Sequence, residues 1–131
     1  MTMRRLVISM VLGGATLLAG ARGFAGQKYS PDFTCWKEAD GSGGCQGTMQ
    51  TARADSDKKA EVAFIVNAAG DHQFYAADRD GTRACLAEDG SKVANMFPLA
   101  IANRGFFFVT WDAFGQCTQL SVTHGSAYST F

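Results

Sequence analysis

Alternating apolar and polar positions fill much of the second half of the chain and predict a series of short β-strands. Val62, Phe64 and Val66 mark the alternation most clearly. The strongest hairpin signal is Asp80-Gly81, because both residues tolerate the positive φ angles of a two-residue turn. The predicted strands are residues 61–69, 73–79, 83–88, 106–114 and 117–124.

One segment, about residues 92–103, has helical spacing instead. Its apolar residues recur every three or four positions, at Val93, Met96, Phe97, Ala100 and Ile101. A helix that starts at Ser91 contains Pro98 in its interior, whereas a helix capped by Asn95 contains it in the first turn. Asn103 is a good residue for the end of this helix.

The order of elements predicts an α+β, mostly β domain. Strand, strand, strand, helix, strand, strand is the order of the OB-fold, a five-stranded, partly open barrel. A small antiparallel sheet with one helix packed across it fits the same order. Residues 29–37 and 45–53 read as an additional N-terminal hairpin, because a glycine-rich turn lies between them.

The first 25 residues have the pattern of a secretory signal peptide. Arg4 and Arg5 precede a mostly apolar run of 13 residues from Leu6 to Leu18, and small residues follow up to Ala25. This run is shorter than the roughly 20 residues that span a bilayer, so we expect no membrane span after cleavage. Residues 1–25 are therefore predicted to be removed, leaving one secreted or periplasmic domain, residues 26–131.

The charge of this domain argues against nucleic acid as a partner. The whole chain has twelve basic and twelve acidic residues. Cleavage after Ala25 removes Arg4, Arg5 and Arg22, which leaves nine basic residues, twelve acidic residues and a net charge of −3. A nucleic-acid-binding surface would need an excess of Lys and Arg.

Four cysteines in a small exported domain predict a disulfide framework. Cys35–Cys45 would bracket the glycine-rich turn of the N-terminal hairpin, and Cys85–Cys117 is the remaining pair. The chain has no C-x-x-C motif, so neither a thioredoxin-like site nor a zinc knuckle is indicated.

A two-residue Gly115-Gln116 turn would sort the last hairpin into two faces. It pairs Trp111 with Leu120, Val109 with Val122 and Phe107 with His124, and the core face that results consists of Phe107, Val109, Trp111, Leu120 and Val122. The opposite face then carries polar residues together with Phe106, Phe108, Phe114 and Cys117. Exposed aromatic patches mark partner sites, so we interpret the three phenylalanines as a binding surface. The alternative is that the N-terminal hairpin covers them.

The candidates for catalysis are weak, which favours a domain without its own catalytic site. His72 and His124 form a conceivable acid–base pair of the ribonuclease type. Asp78 and Asp80 are explained by their turn, so we predict no metal site, and no motif indicates a cofactor.

The sequence therefore predicts a small exported binding protein, held together by disulfides, that binds a protein or a glycan and is a monomer or an oligomer. The alternatives are a small secreted hydrolase that uses His72 and His124, and a structural component of the cell envelope.

Overall fold

The computed structural model describes residues 32–125 of the chain. The predicted signal peptide, residues 1–25, lies outside this range, as do residues 29–31 of the first predicted strand. The described residues form seven strands and two helices: β1 (Thr34–Lys37), β2 (Gly43–Thr48), α1 (Met49–Ala54), β3 (Glu61–Val66), β4 (His72–Asp78), β5 (Gly81–Ala87), α2 (Lys92–Ala102), β6 (Phe106–Trp111) and β7 (Cys117–Thr123).

The strands form two antiparallel sheets. The four-stranded sheet has the order β1-β2-β6-β7, and the three-stranded sheet has the order β3-β4-β5. The mostly β architecture with small antiparallel sheets is therefore confirmed. The described strands form two separate sheets and not the single five-stranded barrel of the OB alternative, and no closed barrel is formed among them. In the described part of the chain, the isolated bridge between the sheets is one parallel pair, Leu86 and Gln116.

Aromatic side chains fill the space between the sheets. Phe107 of β6 meets Phe64 of β3 edge to face, with ring centroids 5.4 Å apart. Trp111 stacks on Phe74 of β4 at 6.3 Å. Phe97 of α2 meets Phe64 at 5.6 Å, so the helix completes the same core. Each of these rings is at least nine-tenths buried, so the aromatic cluster between the sheets is the main apolar contribution to folding.

Both predicted disulfides are present. Cys35–Cys45 joins directly opposed residues of β1 and β2. Cys85–Cys117 joins β5 to β7 and therefore links the two sheets covalently. Beside it, the Leu86 amide donates a hydrogen bond of 3.0 Å to the carbonyl of Gly115.

The predicted strand over residues 45–53 is wrong in its second half. β2 ends at Thr48 and α1 begins at Met49. The Thr48 hydroxyl accepts a hydrogen bond from the Thr51 amide at 3.0 Å, and the Thr51 hydroxyl accepts one from the Thr48 amide at 2.9 Å. This reciprocal capping box stabilises the start of a helix, which the weak alternation of the sequence did not reveal.

The helix predicted at about residues 92–103 is observed as α2, and Ser91 is its N-cap residue. The Ser91 hydroxyl accepts a hydrogen bond from the Ala94 amide at 3.0 Å. Pro98 therefore lies in the helix interior, and the alternative start at Asn95 is wrong. Asn103 caps the C-terminal end, as its position suggested.

The last hairpin has a longer loop than the predicted two-residue turn. Trp111 pairs with Cys117, which leaves Asp112–Gln116 as the loop. Val109 consequently faces Leu120, two positions before its predicted partner. Because side chains alternate with a period of two along a strand, a shift of two residues leaves the predicted core face in place.

An irregularity in β7 corrects the predicted position of Cys117. The pairing register shifts between Thr110 and Trp111, as it does at a β-bulge. Cys117 therefore lies opposite Trp111 on the core side, where it is buried, instead of beside Phe106 and Phe108.

Candidate functional site

The outer face of the four-stranded sheet carries aromatic rings among uncharged polar side chains. We call this surface the aromatic face. It is defined by the residues that alternate with the core positions and oppose one another across the four strands. Its members are Thr34, Trp36, Gly44, Gln46, Thr48, Phe106, Phe108, Thr110, Thr118, Gln119, Ser121 and Thr123.

Trp36 and Phe108 form the centre of the aromatic face. Their ring centroids are 5.7 Å apart and the ring planes are tilted by 37°. Trp36 reaches Phe108 by crossing Gly44 of β2, since a Cβ at position 44 would overlap with the indole. The two rings therefore form a shared platform on the sheet, and both are half-buried.

The surroundings of this platform are neutral and rich in hydrogen-bonding groups. The face contains no Asp, Glu, Lys or Arg among its twelve described positions. The hydroxyls of Thr110 and Thr118 lie 2.9 Å apart and fix each other's position. Gln46 is half-buried between Thr34 and Phe108, and Ser121 is exposed on the far side of Phe108.

Two of the three predicted binding residues, Phe106 and Phe108, lie on the aromatic face, and both are half-buried. Phe114 does not lie on this face: it is in the loop between β6 and β7, and its side chain is 90% exposed. The Asp112 carboxylate holds this loop by accepting hydrogen bonds from the amides of Phe114 and Gln116, at 2.9 and 3.0 Å. The ring of Phe114 thus projects from a well-fixed loop.

The alternative interpretation, in which the N-terminal hairpin covers the phenylalanines, is met only where Trp36 of β1 packs against Phe108. β2 pairs edge to edge with β6, so the hairpin widens the sheet. The hairpin also adds Trp36 to the aromatic face, a residue that is not among the predicted binding residues. The signal that would have found it is the glycine at position 44, because a glycine within a strand often marks close approach of another group.

The two histidines have separate surroundings. The imidazole of His72 meets the ring of Phe97 edge to face at 5.5 Å, and its Nδ1 is buried with no hydrogen-bond partner in the described structure. His124 is exposed, and its Nδ1 lies 2.9 Å from Oδ1 of Asn103. In residues 32–125, no hydrogen bond links the two imidazoles.

The acidic turn that suggested calcium has a different arrangement. Oδ1 of Asp78 forms an ion pair of 2.8 Å with Arg83 and accepts a hydrogen bond from the Asp80 amide at 2.9 Å. Among the described residues, no three His, Cys, Asp or Glu side chains are grouped so as to hold a metal ion.

The two carboxylates with a shifted pKa, Asp40 and Asp57, are not members of the aromatic face. The pKa of Asp40 is lowered because its carboxylate accepts hydrogen bonds from the hydroxyl and the amide of Ser42. The pKa of Asp57 is lowered, chiefly because its carboxylate accepts a hydrogen bond from the Lys59 amide. A hydrogen bond from the Arg79 amide and the positive charge of the Arg79 side chain lower it further. Asp40 is in the turn between β1 and β2 and Asp57 is in the connector before β3, so both shifts reflect turn structure.

Neither of the two described helices has the length and apolar composition to cross a membrane. Comparison of the chain with protein-family models, with curated proteins and with solved structures finds no match.

Proposed function

We propose that this chain is a small exported binding protein without its own catalytic site, which holds a protein or glycan partner on the aromatic face. The observation that carries the proposal is the pair of Trp36 and Phe108, two half-buried rings at 5.7 Å on a face without charge. Rings in such a position lose their remaining water contact when a partner docks, and aromatic residues often dominate binding energy.

The composition of the aromatic face favours a neutral glycan. A sugar ring has an apolar C–H face, which fits on the Trp36–Phe108 platform, and a rim of hydroxyl groups. The amide of Gln46 and the hydroxyls of Thr110 and Ser121 are groups that exchange hydrogen bonds with such a rim. Phosphates or sulfates would instead need Lys or Arg on the face.

The cysteines support a place of action outside the cytoplasm. Both disulfides fit an extracellular or periplasmic location, because thiols in the cytoplasm are kept reduced. Export by the predicted signal peptide, residues 1–25, would deliver the chain to such an oxidising compartment.

The glycan assignment can be tested with purified oxidised protein and neutral oligosaccharides built from glucose, mannose, galactose or N-acetylglucosamine. We expect at least one series to bind, and Trp36→Ala and Phe108→Ser each to weaken that binding at least about tenfold, a typical result for an aromatic anchor. Phe114→Ser is the matched control, because it removes a ring that is 90% exposed and lies outside the aromatic face. Equal loss in the control variant, or no binding to any series, would overturn the glycan assignment.

The protein alternative has its own test, in which a photoreactive phenylalanine analogue replaces Phe108 in the producing cells. A single cross-linked protein, absent when the analogue replaces Phe114, would identify a protein partner. If neither this experiment nor the oligosaccharide series gives a partner, the proposed binding function is wrong.

A further inference from the structure

The outer face of the three-stranded sheet is a second surface, and it is mostly apolar. We call it the apolar face. Its nine positions alternate with the core positions of β3, β4 and β5. They are Glu61, Ala63, Ile65, Gln73, Tyr75, Ala77, Thr82, Ala84 and Leu86.

Large apolar side chains on this face are open to water. Leu86 is 50% exposed and Ile65 is 40% exposed. Phe114, at 90% exposure, lies beside this face, in a groove that is lined by Thr82 and Ala84 of β5 and also by Lys37 and Arg83. Apolar residues that cluster in this way on a small protein mark an interaction site.

The apolar face has an internal symmetry about its central strand. In one row, Ile65 and Leu86 lie on either side of Gln73. In the next row, Ala63 and Ala84 lie on either side of Tyr75. In these two rows, the residues of β3 and β5 are therefore of similar size and polarity, whereas the third row has Glu61 and Thr82 on either side of Ala77.

This symmetry makes the face complementary to itself. A two-fold axis along β4 would place Ile65 of one copy against Leu86 of the other. It would also bring the two Gln73 amides together, where each can donate to the other. Glu61, the one charged residue of the face, would meet Thr82, so no like charges would oppose each other.

The size of the face indicates a transient contact. Three strands at about 4.8 Å spacing and about 20 Å length cover roughly 300 Å². The Phe114 side chain adds about 150 Å² at most. The two copies would then bury roughly 900 Å² in total, which is below the roughly 1,200 Å² of a stable interface.

We infer that two copies of this chain associate through their apolar faces, with Ile65 of each copy against Leu86 of the other. The association leaves both aromatic faces on the outside of the pair, because the two surfaces belong to different sheets. A dimer would thus present two partner sites, and a multivalent partner would bind it more tightly than a single copy.

Light scattering and analytical ultracentrifugation test this inference on the oxidised protein between about 1 µM and 1 mM, a range suited to a weak contact. We expect the mean mass to rise from monomer toward dimer in that range. Leu86→Lys and Ile65→Glu should each raise the dissociation constant at least about tenfold. Leu99→Lys on α2 is the matched control, since Leu99 is 57% exposed but lies on a different surface.

A mixture of the Leu86→Lys and Ile65→Glu variants tests the arrangement itself. The two-fold axis brings the introduced charges of opposite sign together, so the mixture should form a one-to-one dimer although each variant alone is monomeric. Circular dichroism verifies that the variants remain folded. A wild-type protein that stays monomeric at about 1 mM, a dimer insensitive to Leu86→Lys, or a mixture that does not pair would overturn the inference.

The outcome is separable from that of the proposed function. Leu86→Lys should keep full affinity for a monovalent oligosaccharide, and Trp36→Ala should keep the wild-type dimerisation constant. A dimer that is lost on Phe108→Ser would instead assign the aromatic face to self-association.

Discussion

The indole of Trp36 covers Gly44, the residue directly opposite it on the neighbouring strand. Gly44→Ala should therefore displace the ring from the sheet. We expect the free energy of unfolding to fall by about 1–3 kcal/mol, as it does when a packed site is overfilled. Urea denaturation measures this loss, and oligosaccharide binding measures the damage to the platform. Gly125→Ala is the control, because a Cβ at position 125 would meet no other atom of residues 32–125 within 4 Å. Unchanged stability and affinity in Gly44→Ala would contradict the role given to this contact.

The two disulfides should differ in their contribution to stability. Cys85 and Cys117 are 32 residues apart in sequence, whereas Cys35 and Cys45 are 10 residues apart. A longer closed loop removes more entropy from the unfolded chain, so losing Cys85–Cys117 should cost about 1 kcal/mol more than losing Cys35–Cys45. Urea denaturation of the two double alanine variants tests the order. The reverse order would mean that strain or residual structure outweighs loop length.

His72 is predicted to destabilise the fold. Its Nδ1 is buried without a hydrogen-bond partner in the described structure, and the ring packs on Phe97. His72→Phe keeps the edge-to-face contact and removes the orphaned nitrogen, so we expect a gain of about 1 kcal/mol in the free energy of unfolding. His124→Phe, at an exposed position, should give no such gain. A loss of stability in His72→Phe would show that the imidazole makes a favourable polar interaction.

Asp57 should make the free energy of unfolding depend on pH in the acidic range. Its carboxylate accepts hydrogen bonds from the Lys59 amide at 3.0 Å and from the Arg79 amide at 2.6 Å, and the pKa is lowered as a result. A group with a lowered pKa in the folded state stabilises the fold above its ordinary pKa of about 3.9, and the effect is lost as the pH falls through the folded value.

Asp57→Asn should therefore melt at a lower temperature than the wild type at about pH 7 and should lose less on acidification to about pH 2.5. Thermal denaturation at both pH values measures the difference. Asp89→Asn is the control, because Asp89 is exposed and forms no hydrogen bond or ion pair among residues 32–125. Identical acid dependence of wild type and Asp57→Asn would exclude the carboxylate as the cause.

The core could be read from the sequence because burial on one side of a strand imposes a period of two. Val109 and Trp111 belong to the core on that basis, and both are buried there, although the partner of Val109 differs from the predicted one by two positions and that of Trp111 by three. The cysteine pairing was predictable for a related reason: the glycine-rich segment between Cys35 and Cys45 forms a local hairpin.

Only part of the candidate site on the aromatic face could be predicted from the sequence, because the site depends on a contact between segments that are distant in the chain. Phe106 and Phe108 follow from the alternation within β6, but Trp36 joins them only through the pairing of β2 with β6, which no local pattern encodes. Phe114 lies in the loop and not on the strand because the loop is three residues longer than the predicted two-residue turn. The apolar face has no signal in the sequence, because its alanines are ordinary strand residues until the pairing of three strands aligns them.

The pairing of β2 with β6 also governs the order in which the molecule assembles. Thr48 and Phe106 are partners although about 60 residues separate them, whereas β3, β4 and β5 follow one another through short turns. Closing a long loop costs more entropy than closing a short one, so we expect the three-stranded meander to form early and the β2–β6 seam late. Cys45, at the middle of that seam, stays accessible until it closes. Rapid oxidation with Cys35, its neighbour in a local hairpin, would protect it from pairing with Cys85 or Cys117 before the two ends of the chain have met.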